Sequence, residues 1–114
     1  MEKLFVYGTL KRNYSRNTVL LSGKFIGNRK TIAGYTMVDL GSFPGILNQG
    51  TQTIFGELYF VNKALLKTCD LIEGHPSFYI RKKIKLLNNE NAWSYFLDFE
   101  KYKNYPKIKS GLWG

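Results

Sequence analysis

The sequence is poor in the residues on which much small-protein chemistry depends. Its 114 residues hold one cysteine, Cys69, and one histidine, His75. A lone cysteine excludes an intramolecular disulfide and a multi-cysteine zinc site, and a lone histidine excludes a multi-histidine metal centre. A reducing compartment is the natural expectation, and with it a cytoplasmic protein. No apolar run approaches the ~18 residues needed to cross a bilayer, and the stretch Leu4 to Tyr7 is too short for a signal-peptide core. Phosphate loops of the G-x-x-x-x-G-K-[ST] or G-x-G-x-x-G kind are missing, as are a G-x-S-x-G elbow and a protease-like cysteine signature. These absences argue against metal, nucleotide and triad chemistry, and no cofactor is expected. Repeats and Pro/Gly/Ser linkers are also missing, so residues 1–114 read as a single domain.

Acidic residues are scarce as well. Eight carboxylates face 17 lysines and arginines, a formal charge of +9. Such an excess raises polyanion binding as a hypothesis. Thirteen of the cations are lysine, however, and they are dispersed apart from Arg81-Lys82-Lys83-Ile84-Lys85. On a strand those five alternate between faces, like an edge or a solvated face rather than a groove. No RNP-type aromatic signature accompanies them, so a nucleic-acid partner is not expected.

What is present is enough for one core: 44% of residues are hydrophobic and 16% aromatic. Thr53 to Val61 is the clearest strand, with Ile54, Leu58 and Phe60 on one face and Phe55, Tyr59 and Val61 on the other, so a central position is expected. Lys3 to Tyr7, Tyr35 to Leu40, Tyr79 to Leu87 and Ala92 to Asp98 read as further strands, the last two joined by the polar turn Asn88 to Asn91. Asn62 offers an N-cap, Leu65, Cys69 and Ile72 recur at helical spacing, and Gly74 offers a stop, which predicts a helix over 63–72. Ser15 to Leu21 suits a short helix. Gly41-Ser42-Phe43-Pro44-Gly45 reads as a tight loop, and 101–114 has no clean period. This order predicts an α+β domain on a small antiparallel sheet or barrel.

Three carboxylates occupy informative places. Asp70 and Glu73 fall on the last turns of the helix, where the negative end of the dipole opposes ionisation; partial burial there would raise a pKa into the range of a general base. Glu57 lies amid Phe55, Tyr59 and Val61, so it must point into a polar cavity or find a partner such as Arg81. An exposed surface acid is the plain alternative for each.

Taken in order, Phe5-Val6-Tyr7-Gly8-Thr9-Leu10-Lys11-Arg12, the Gly41 to Gly45 loop, Gly56-Glu57-Leu58-Tyr59, Asp70-Leu71-Ile72-Glu73-Gly74-His75-Pro76, Tyr79-Ile80-Arg81, Ala92-Trp93-Ser94-Tyr95 and Ile108 to Trp113 resemble the γ-glutamylcyclotransferase-like family, in particular its γ-glutamylamine cyclotransferase and AIG2-like branch. The resemblance implies an α+β fold, a small mixed or antiparallel β-barrel with flanking short helices, whose cavity takes a γ-glutamyl group without metal or cofactor. It implies Glu73 as acid/base and Tyr7, Gly8, Thr9 and Leu10 as the substrate-binding loop. Tyr79 is a candidate for positioning the substrate, Glu57 and Arg81 for support, with Arg81 pairing Glu57 or Glu73.

The chemistry fits those residue types. Forming 5-oxoproline requires the substrate's own α-amine to attack its γ-carbonyl and expel the capping amine, so no enzyme nucleophile is needed. Holding the chain bent is a proximity task, a carboxylate such as Glu73 can move the proton, and backbone N–H groups around Gly8 and Thr9 can stabilise the oxyanion or hold a carboxylate. Against the family pattern, Lys11-Arg12-Asn13 stands where relatives usually read K-R-G, and Phe43 where tyrosine is commoner. Two other readings are a catalytically silent small-ligand or partner-binding domain of the same fold, which the retention of Glu73 argues against, and the nucleic-acid module already weighed. The expected partner is a small γ-glutamyl substrate, without membrane contact, and the expected state is a monomer or weak homodimer.

Overall fold

A computed structural model describes residues 1–114 as an α+β fold. Seven strands, β1 (Glu2–Val6), β2 (Lys24–Lys30), β3 (Tyr35–Asp39), β4 (Pro44–Gln52), β5 (Phe55–Val61), β6 (Ile80–Lys85) and β7 (Asn91–Phe96), accompany two helices, α1 (Lys63–Glu73) and α2 (Phe99–Tyr102). Five strands form one sheet in the order β2-β5-β1-β7-β6, and β3 and β4 pair separately. β5 lies between β2 and β1, as its two bulky faces predicted. No helix is long and apolar enough to cross a membrane.

The expected barrel does not close. The edge strands of the large sheet meet at one isolated bridge, Thr31 to Leu86, with hydrogen bonds from Ile32 N to Lys85 O and from Leu87 N to Lys30 O. Beyond that bridge the edges form no ladder, and the separate β3–β4 ribbon is bonded to the rest of the fold by Leu97 N to Ile46 O and by Lys85 N to Tyr35 Oη. Sheet twist brings the edges together at one end without forming a ladder.

The core lies on both faces of β1 and β5. Leu4, Val6, Tyr59 and Val61 pack on the side of α1, while Phe5, Leu58, Ile84 and Phe96 pack on the other. β1 runs antiparallel to β5 and parallel to β7, so its carboxyl end emerges between two strands that both contribute side chains to the region above it. The chain leaves β1 there as the loop Tyr7 to Leu10. α1 begins at Asn62, whose side chain accepts from Leu65 N at 2.8 Å, and ends at Gly74 in the left-handed conformation. Cys69 faces the core with no exposure, and burial pushes its thiol up to about 12, the state of a packing residue. The short helix expected over 15–21 is a 3-10 turn at Asn17–Leu20.

Candidate active site

The end of β1 and the end of α1 meet around a pocket of about 90 Å³. Gly8, Thr9 and Leu10 line it, as do Tyr7, Glu73 and Tyr79. The loop is held from behind: Lys11 N donates to Gly8 O, Asn17 Nδ2 donates to Leu10 O at 2.8 Å, and Arg16 N donates to Thr9 O at 2.9 Å. The N–H groups of Gly8, Thr9 and Leu10, in contrast, donate to no other group of the protein. Three successive unpaired N–H donors beside a pocket form a concave anion-binding surface. Pro44 crowds this loop, since a Cβ on Gly8 would stand 3.1 Å from its Cγ, which accounts for glycine there.

The same pocket presents acceptors. Tyr7 Oη donates to Tyr95 O at 2.7 Å and Tyr79 Oη donates to Pro44 O at 2.6 Å. Each phenol has thus spent its proton on a backbone carbonyl and turns only lone pairs toward a ligand. Burial pushes both hydroxyls above the ordinary tyrosine range, so neither ionises near neutrality. Glu73 is 9% exposed, and burial raises its carboxyl from 4.5 to about 7, with the Arg16 guanidinium pulling the other way. A cluster of one carboxylate and two acceptor hydroxyls suits an ammonium group, and the loop suits an oxyanion or a carboxylate.

The helix that carries Glu73 is fastened to the sheet by the neighbouring acid. Asp70 accepts from Arg81 Nε at 2.8 Å and from Tyr95 Oη at 2.7 Å. Arg81 N in turn donates to His75 Nδ1 at 2.9 Å, which ties the turn after α1 to β6.

A family model described as "Gamma-glutamyl cyclotransferase, AIG2-like" matches residues 4–114. The chain belongs to this family. It is 34% identical over 110 residues to a provisionally named gamma-glutamylcyclotransferase of Vibrio cholerae, covering 96% of this chain and 93% of that protein. It is 34% identical over 90 residues to a gamma-glutamylaminecyclotransferase of Bos taurus, covering 71% of this chain and 54% of that protein. The crystal structure of an AIG2-like protein of Mus musculus superposes with a TM-score of 0.82 at 25% identity, covering 96% of this chain and 87% of that one.

Within this AIG2-like chain the sequence-predicted residues divide into two groups. Glu73, Tyr7, Gly8, Thr9, Leu10 and Tyr79 converge on the pocket. Glu57 and Arg81 do not line it, and they do not pair with each other or with Glu73. Glu57 accepts from Arg12 N at 2.9 Å and Tyr59 Oη at 3.2 Å and pairs with Arg12 Nε at 3.5 Å, so it anchors the outer end of the binding loop. Arg81 pairs instead with Asp70, three residues before Glu73 on α1. Phe43, singled out in the sequence for standing where tyrosine is commoner, lines the pocket; the sequence reading missed Arg16, Tyr95 and the rim residue Phe78, which line it too. Their arrival depends on loop geometry and on the β1 to β7 pairing, which no periodicity in the sequence encodes.

Proposed function

We propose that this pocket is the active site of a γ-glutamyl cyclotransferase that releases 5-oxoproline from a small γ-glutamyl amide. The observation that carries this reading is a buried carboxyl, Glu73, raised to about 7 and lining one small pocket together with a loop whose Gly8, Thr9 and Leu10 N–H groups are unpaired. The substrate's α-ammonium sits among Glu73 and the lone pairs of Tyr7 and Tyr79. Glu73 takes one ammonium proton, and the freed amine attacks the γ-carbonyl carbon to close the five-membered ring. The carbonyl oxygen becomes an oxyanion in front of the Gly8 to Leu10 N–H groups. Glu73 then returns the proton to the departing nitrogen as the C–N bond breaks, and takes the second proton from the ring nitrogen and passes it to the released amine, which leaves as an ammonium ion; the base is regenerated and no outside reactant is consumed.

The residue types match the tasks. A pocket this small folds the glutamyl chain upon itself, where intramolecular orientation is worth up to ~7–11 kcal/mol. A base titrating near neutrality combines a useful deprotonated fraction with enough basicity to move the proton, an effect of about 10²–10⁴ in rate. Glu73→Gln is expected to keep the far-ultraviolet circular dichroism of the wild type and to lose 5-oxoproline release by at least about 10², read by chromatography on a panel of γ-glutamyl amines. A Gln variant turning over at the wild-type rate rejects the assignment.

A further inference from the structure

The chain has four arginines, and three of them are engaged. Arg12 bonds Glu57 and stacks on Phe25, Arg29 bonds Glu90, and Arg81 bonds Asp70 and lies over Trp93. Arg16 differs. Its guanidinium donates no hydrogen bond within the protein, and its one charged neighbour is Glu73, Nη1 to Oε2 at 4.0 Å. Its side chain is 44% exposed, and it is the only cation lining the pocket. The backbone beneath it is fixed all the same, because Arg16 N donates to Thr9 O and the side chain of the next residue, Asn17, bonds Leu10 O and Tyr59 Oη. A rigidly rooted guanidinium with its donors unspent, set at the mouth of a site, is the arrangement that recognises a carboxylate.

We propose that Arg16 is the residue that selects the leaving group, by pairing with a carboxylate carried on the departing amine. This rests on the cyclotransferase reading of the same pocket. Glu73 must return its proton to the departing nitrogen, so that nitrogen lies beside Glu73. A carboxylate two bonds from that nitrogen then lies on the Arg16 side of Glu73, where the half-exposed guanidinium, only 4.0 Å from Glu73 Oε2, reaches it by turning outward toward the mouth. The glutamyl half fills the small interior in front of the loop N–H groups, which leaves the departing half at the mouth. There it meets Arg16 on one side and the faces of Phe43 and Phe78 on the other; these two rings contact edge to face at 6.1 Å, and Phe78 is 37% exposed. The rim is therefore cationic and apolar. It suits an amine bearing a carboxylate and a short hydrocarbon body, serves a neutral amine less well, and repels a cationic one.

The test compares 5-oxoproline release from γ-glutamylalanine and γ-glutamylethylamine, which differ only in the leaving-group carboxylate. The wild type is expected to favour the alanine compound in kcat/KM by about tenfold, the scale of one partly exposed charge-assisted pair. The preference is expected to sit in KM and to shrink as salt is raised. In Arg16→Gln the ratio between the two substrates is expected to fall to about one, and Arg16→Lys to restore part of it. A wild type without the preference, or an Arg16→Gln variant that keeps it, overturns the assignment while continued 5-oxoproline release leaves the cyclotransferase reading intact. If the wild type releases 5-oxoproline from neither compound, the cyclotransferase reading falls and both become inert ligands whose binding is read by calorimetry. Tighter binding of the alanine compound that is lost in Arg16→Gln then upholds the carboxylate site, and equal or absent binding overturns it.

Discussion

In the proposed reaction, Glu73 brings chemistry and stability into opposition at a single side chain. Its carboxyl titrates at about 7 in the folded chain and at 4.5 when solvated, because burial penalises its charged form. Between those two values the folded protein holds a proton that the unfolded chain has released. Unfolding therefore releases a proton there, and raising the pH favours the unfolded state. The stability contributed by the protonated group is fully present below about pH 4.5 and is lost as the pH rises through about 7, a loss of up to ~3 kcal/mol. Glu73→Gln removes this pH dependence. Urea unfolding is expected to find the Gln variant more stable than the wild type at pH 8 and indistinguishable near pH 4. The wild-type rate should move the opposite way, with an ascending limb in kcat/KM centred near 7 as the base loses its proton. Equal stability of the two proteins at pH 8 contradicts the burial on which this rests. Glu73 was legible in the sequence through the family resemblance, since its place near the end of a helix marked Asp70 and Glu73 alike. Arg16 carried no signal: its importance lies in what its guanidinium fails to bond, and that is visible only after folding.

Among the elements, legibility followed how completely each one's side chains alternate between environments. α1 and β5 were readable because an N-cap, a helical spacing and a two-faced apolar run each leave a local mark. β4 was hidden. Its first four residues, Pro44 to Leu47, are buried, but Asn48 to Thr51 are exposed, and the Pro-Gly start reads as a turn. It becomes a strand only through its partner β3, whose Val38 and Asp39 pair with Gly45 and Pro44. α2 has four residues, too few for a period to register. The pairing of β1 with β5 carries the most direct consequence for the site, because Gly56 lies beside the point where the binding loop leaves β1. A Cβ at Gly56 would overlap the Val6 carbonyl oxygen and stand 2.8 Å from Phe5 Cζ. Val6 cannot yield without moving Tyr7 and the loop N–H groups that follow. Gly56→Ala is expected to destabilise the fold by about 1–3 kcal/mol, the usual cost of overpacking, and to lower kcat/KM at temperatures where the protein remains folded. Thermal melting and steady-state rates read the two effects separately, and a variant with wild-type values for both contradicts the predicted close approach.

At the scale of the whole molecule, the main feature the sequence left unread is how the last residues tie the β3–β4 ribbon to the large sheet. The expected barrel and the observed open sheet differ in what closes the gap between edges. That depends on contacts between segments far apart in the chain, which alternation within a segment cannot report. The element that ties the small ribbon to the large sheet is the tail at 106–113, which the sequence marked by its family resemblance at Ile108 to Trp113 but not by any period. Its backbone bonds β3 through Asp39 N to Pro106 O and Ile108 N to Met37 O, β4 through Gln52 Nε2 to Ile108 O, and β5 through Phe55 N to Gly111 O. Its end reaches the binding loop, where the Trp113 carbonyl accepts from Lys11 Nζ at 2.6 Å and Tyr14 Oη at 3.3 Å. Ile108 and Trp113 also pack against the core on the side of Phe5 and Ile84. Two nested truncations separate these roles. Removing residues 106–114 breaks four backbone-anchoring hydrogen bonds at about 1 kcal/mol each together with the Ile108 packing, so a loss of several kcal/mol in urea unfolding is expected. Removing only residues 112–114 keeps those four bonds and releases Lys11 and Tyr14. That variant is expected to stay folded, to melt only a few degrees lower, and to show a raised KM for γ-glutamyl substrates because the loop presenting its N–H groups has lost its outer anchor. If the shorter truncation leaves KM unchanged, the tail serves the fold alone and the loop is held in place by Glu57, Asn17 and Pro44 without it.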